Sequence, residues 1–186
     1  MRTWSRLIPA AAFLLSLAGT SCTFRLTDTR YFPEPAVRLA VESYTQEPNR
    51  CGPYALAAVL NFLNFGSDPE DLAERLYIPE IEGTLTMDLF LEAVRVGADA
   101  EQMRGSTERL TGDLERGLPV IILLRYGSLL PGAGHFVVIT GYSLEPRGFF
   151  LEWGDGKASW VAGDDLDRMW ARSDHWMLSL AGGLGS

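Results

Sequence analysis

An α+β fold, with N-terminal helices packed on a C-terminal antiparallel sheet, is predicted by two features of the 186-residue sequence. Between residues 53 and 116 apolar side chains recur mostly at helical spacing, whereas after Pro119 they collect in short runs rich in β-branched and aromatic residues. Helices gathered first and strands afterwards mark this class rather than an alternating α/β chain. The length suits one domain with its own core, and 47% hydrophobic with 22% charged residues is ordinary globular composition.

The first segment, MRTWSRLIPAAAFLLSLAGTSC, has two arginines, an apolar stretch from Leu7 to Ala18 and then small residues. That is the layout of a secretory signal, and the apolar stretch is shorter than the ~20 residues a membrane span needs. Small residues before Cys22 resemble a bacterial lipoprotein signal, although Gly19 stands where Leu is usual. Residues 1–21 are therefore expected to be removed and Cys22 lipidated, placing an exported protein at the membrane of a bacterial envelope. Ordinary signal cleavage, or a disulfide between Cys22 and Cys51, are the competing readings.

Residues 22–45, with Pro33 and Pro35, read as a lead-in that includes a short strand near Val37 to Val41. The folded domain is expected over 46–180, followed by a flexible tail at 181–186. Tyr54, Leu56, Ala57, Val59, Leu60 and Leu63 set a helix from Pro53 to Phe65, with Gly66 as its stop. Asp68-Pro69-Glu70-Asp71 reads as a cap, a first-turn proline and an acidic first turn opening a helix to Leu76. Further helices are expected from Thr86 through Val94 and from Thr107 to Arg116. Strands follow in PVIILLRYG, HFVVITGYS, GFFLEWG and KASWVA; a helix at Asp164 to Ala171 and a strand from His175 complete the domain.

The net charge of −8, which becomes −10 once Arg2 and Arg6 are lost with the signal, excludes a nucleic-acid partner. Two cysteines and two scattered histidines have no metal-ligand spacing, so neither metal nor cofactor is expected. Cys51 stands directly before the first predicted helix, where the macrodipole and free N–H groups favour a thiolate nucleophile. By position alone a buried structural cysteine is an equal reading. The base would be His135 or His175; His135 follows the flexible Pro131-Gly132-Ala133-Gly134, and His175 resembles an ordinary strand-end residue. Asp155, 20 residues past His135, is the candidate to orient the imidazole, although Asp-Gly also makes turns, and Glu152 is the substitute. Gln46 offers an amide to the oxyanion, and Gly52 leaves space for a substrate to approach.

The string QEPNRCGPYALAAVLN at 46–61, with GHFVVITGY at 134–142 downstream, resembles the bacteriocin-processing cysteine peptidase family. This papain-like family cuts leader peptides after a double glycine. The resemblance implies Cys51 as nucleophile, His135 as general base and acid, Gln46 in the oxyanion hole, and a peptide or protein substrate. The family's usual Asp-Pro third residue is absent, which leaves that position to Asp155, to Glu152 or to neither. No nucleotide-binding loop or second long apolar span is present, so a stand-alone relative is expected. A cell-wall peptide hydrolase and a non-catalytic binding lipoprotein are the alternatives.

Overall fold

The structure is a computed structural model and describes residues 32–125 and 134–182. The signal-type segment, Cys22, the Pro131–Ala133 approach to His135 and residues 183–186 lie outside the described residues. In chain order the strands are β1 (Val37–Arg38), β2 (Asp99–Arg104), β3 (Val120–Arg125), β4 (Gly134–Leu144), β5 (Arg147–Glu152), β6 (Ala158–Ala162) and β7 (Trp176–Ala181). The helices are α1 (Cys51–Phe62), α2 (Pro69–Leu76), α3 (Thr86–Arg95), α4 (Thr107–Glu115) and α5 (Gly163–Trp170), with short 3₁₀ turns at Pro79–Ile81 and Ala171–Ser173.

All seven described strands join one sheet in the order β2-β7-β3-β4-β5-β6, with β1 paired to β4, and every pairing is antiparallel. The α+β expectation is thus met, with one refinement in the layering. Helices α1 to α3 pack on one face against Ile121, Leu123, Phe136, Val138, Leu178 and Leu180. Leu110 and Leu114 of α4, with Leu166, Met169 and Trp170 of α5, cover the opposite face over Val120, Ile122, Leu124, Val137 and Ile139. Successive strand residues point to opposite faces, so a strand covered on both sides must be apolar throughout. This explains the unbroken run Val120-Ile121-Ile122-Leu123-Leu124, whose members are all buried.

Strand β2 has no sequence signal of its own. Its sequence DAEQMR sits at the sheet edge against β7 alone, and only Ala100 and Met103 lend it apolar contact. An edge strand with a single apolar contact on each face needs little hydrophobic signal.

Helix α1 starts two residues earlier than expected, so Cys51 is its first residue rather than the residue before it. Its end is set by Asn64, not Gly66. Asn64 adopts φ 66°, its N–H donates to the Asn61 carbonyl, and the Phe65 N–H reaches back to the Leu60 carbonyl at 2.9 Å. That pair of bonds is a Schellman closure. The α2 start behaves as predicted: Asp68 Oδ1 accepts from the N–H groups of Glu70 and Asp71 at 2.9 and 3.0 Å. Asp68→Ala is expected to lower stability by about 1 kcal/mol in a urea titration, the usual cost of a lost N-cap.

Candidate active site

A cleft of about 700 Å³ opens between the start of α1, the Ile81–Thr86 connection and the ends of β3 to β5. Gln46, Cys51, His135 and Asp155, all selected from the sequence, line it, together with Trp153 and Phe136. Three separate folding decisions bring them there. Pro53 and the apolar stripe behind it start α1 at Cys51; the β3–β4 pairing sets His135 opposite Leu124; and a β-bridge between Thr45 and Asp155 ties the lead-in to the end of β5.

The Phe136 N–H points at Cys51 Sγ from 3.5 Å, which seats the head of β4 against the first turn of α1. Gly52 does not provide space for a substrate. It is buried, and a Cβ there would lie 3.2 Å from the Phe136 ring and 3.3 Å from Thr84, so its lack of a side chain permits the close packing of α1 under the cleft. Burial also reverses the expected effect on the thiol. Desolvation pushes the Cys51 thiol above its ordinary pKa, and the N–H groups of Phe136, Gly52 and Cys51 pull it back only in part.

His135 is held by Trp153, just past the end of β5. Its Nε2 lies 2.8 Å from the Trp153 carbonyl oxygen, and its ring stacks on the Trp153 indole with centroids 5.6 Å apart and planes 21° apart. Burial lowers the imidazole pKa below its usual value, opposed by the Trp153 carbonyl and by the charge of Asp155. The second histidine is placed elsewhere. His175 Nε2 bonds Asp167 at 3.0 Å and its ring meets Trp170 edge-on, a structural tie between β7 and α5.

Gln46 donates from Nε2 to the same Trp153 carbonyl at 2.9 Å, and its own N–H donates to the Gly154 carbonyl at 3.0 Å. An amide nitrogen carries two protons, so one N–H remains in addition to that bond. Asp155 accepts from the Lys157 N–H at 3.0 Å, as the Asp-Gly turn reading anticipated, and reaches His135 through its charge. Glu152 pairs with Arg38 of β1 at 3.6 Å, and burial raises its carboxyl pKa against the opposing pull of that guanidinium. Trp153 is the cleft residue that sequence reasoning missed. Its contribution to His135 runs through a main-chain oxygen and a ring face, neither of which has a residue-type signature.

Among the described residues no cluster of His, Cys, Asp or Glu could hold a metal ion, and no helix is long and apolar enough to cross a membrane. Helices packed against an antiparallel sheet, with a cysteine at a helix start and a histidine at a strand head lining one cleft, match the fold of papain-like cysteine peptidases. Residues 38–152 match the profile of the Peptidase_C39 like family, and the chain belongs to that family.

Solved structures agree on the fold. A double glycine motif protease from an AMS/PCAT transporter, determined in complex with the leader peptide, aligns at TM-score 0.62 and 19% identity over 80% of this chain and 98% of that one. The peptidase domain of Streptococcus ComA, a bi-functional ABC transporter of a quorum-sensing pathway, aligns at 0.60 and 19% over 76% and 98%. A C39-like peptidase from Bacillus anthracis aligns at 0.63 and 18% over 80% and 98%. No curated protein matches the sequence.

Proposed function

We propose that the protein is an exported cysteine peptidase that cleaves peptide bonds with Cys51 and His135. The contact between the Phe136 N–H and Cys51 Sγ carries this reading, because it locks the strand bearing His135 onto the helix bearing the thiol at the base of an open cleft. His135 takes the thiol proton as Sγ attacks the scissile carbonyl carbon. The tetrahedral oxyanion accepts from the Gln46 amide and the Cys51 N–H, and the imidazolium then returns its proton to the leaving amine as the C–N bond breaks. Water, activated by the same imidazole, hydrolyses the thioester and restores the thiol. A peptide substrate is favoured by the fold neighbour that was determined with a leader peptide in place.

Turnover of a broad peptide library by the wild-type protein, compared with Cys51→Ala, tests the reading; equal background in the two proteins would refute it. Because the His135 pKa is lowered and this group must be unprotonated to act as base, activity should rise with pH through an acid limb lying below pH 6.5. The raised thiol pKa places the alkaline change above 9.0, so a bell-shaped kcat/KM profile with limbs outside these two values is the expected result. The membrane anchor is a separate part of the proposal. Cys22→Ala should abolish incorporation of labelled fatty acid and release the protein from the membrane fraction; unchanged partitioning would exclude lipidation at Cys22.

A further inference from the structure

The hydrogen-bond partner at His135 Nε2 is a main-chain oxygen, where cysteine peptidases of this kind are expected to carry an acidic side chain. We propose that Trp153 is the positioning residue of the site, its carbonyl fixing the tautomer of His135 and its indole fixing the plane of the ring. The proposal rests on the reading of Cys51 and His135 as the reacting pair.

A carbonyl oxygen only accepts, so the 2.8 Å approach requires the proton on Nε2 and makes Nδ1 the basic nitrogen. The near-parallel stack on Trp153 restrains rotation about the remaining side-chain torsion. The carbonyl is itself anchored. Gln46 Nε2 donates to it at 2.9 Å, the Gln46 N–H holds the next carbonyl at 3.0 Å, and the Thr45–Asp155 bridge closes the chain beyond. Gly154 makes this clasp sterically attainable. It adopts φ +80°, and a Cβ there would lie 2.3 Å from Gln46 Cδ. Both nearby carboxylates have other partners, Asp155 the Lys157 N–H and Glu152 the Arg38 guanidinium.

The chemical consequence concerns charge. A neutral carbonyl orients an imidazole as well as a carboxylate does, but it stabilises the imidazolium less. Cys51 and His135 are therefore neutral at rest, and the proton moves only as the thiol attacks. The direction of both pKa shifts agrees with this.

The test is 15N NMR of the histidine-labelled full protein at neutral pH, with kinetics alongside. Wild type, Asp155→Ala and Glu152→Ala should each show a single neutral His135 tautomer protonated at Nε2, and Asp155→Ala should keep kcat within about threefold. If a carboxylate oriented the ring, deleting it would free the ring to take either tautomer, at a cost on the order of 10⁴ in kcat. An Nδ1-protonated ring in wild type, a mixture of tautomers in Asp155→Ala or Glu152→Ala, or a loss approaching that size would overturn the proposal. Gly154→Ala, whose methyl displaces Gln46 from the carbonyl, should yield a mixture of tautomers in a folded protein, and retention of the single form would count against the anchoring. The NMR result stands apart from turnover. A wild-type protein with the Nε2 tautomer but no peptidase activity would refute the catalytic reading and leave the positioning role intact.

Discussion

Cys51→Ala is expected to abolish peptide turnover while leaving the protein folded. Loss of the nucleophile removes the whole covalent route, and losses on the order of 10⁴–10⁶ in kcat accompany such changes in enzymes whose nucleophile and base act as a unit. The fold should tolerate the change, because Cys51 is only half-buried and merely abuts the core on the α1 side of the sheet. His135→Ala should be nearly as inactive, and the double variant no worse than Cys51→Ala alone. Additive losses in the double variant would show that the two residues do not act together. Direct support would come from alkylation by iodoacetamide, which should label Cys51 more slowly at neutral pH than it labels a preformed thiolate, and faster as pH rises past 9.0.

Trp170→Ala carries the largest expected effect on stability. Trp170 is 1% exposed, fills the space between α5 and β7, and donates from its indole nitrogen to the Trp176 carbonyl at 2.8 Å. Replacing a buried Trp by Ala costs about 3–5 kcal/mol, and the orphaned carbonyl adds to that figure. At about 2–4 °C per kcal/mol for a chain of this size, the thermal midpoint should fall by roughly 6–20 °C. Trp170→Phe, which keeps most of the volume and loses only the N–H, should recover most of the loss. A midpoint within 2 °C of wild type for Trp170→Ala would contradict the packing described for this face.

Pro53, Asp68-Pro69 and the β-branched runs after Pro119 act through local physics, such as a fixed φ, a side-chain cap or a period of two. Elements built on such signals lie within three residues of the bounds the signals predict. Strand β2 escaped because an edge strand is specified by its neighbour β7 rather than by its own composition. The division of helices between the two faces was equally hidden, since α4 carries an apolar stripe like the others and the stripe does not say which face it will meet.

Cys51, His135 and Gln46 were legible as candidates because each has a rare side-chain chemistry set beside a strong structural signal. The thiol's environment was not. A helix start favours thiolate, yet the walls of the cleft remove water from Cys51, and desolvation outweighs the local N–H groups. Gly52 shows the same limit: its small size suggested access, and the fold uses it to bring the Phe136 ring, Thr84 and Leu89 against α1.

The sequence by itself determined the fold class, the membership of most elements and which side chains are candidates for the chemistry, because these depend on residue type and on spacing along the chain. Only the tertiary structure decided what surrounds them. The partner of His135 Nε2 is the Trp153 carbonyl, a group every residue possesses, and a position 18 residues downstream becomes its neighbour solely through the β4–β5 hairpin and the Gln46 clasp. Main-chain atoms carry no information in the amino-acid code, so a site completed by one becomes visible only when the chain is folded.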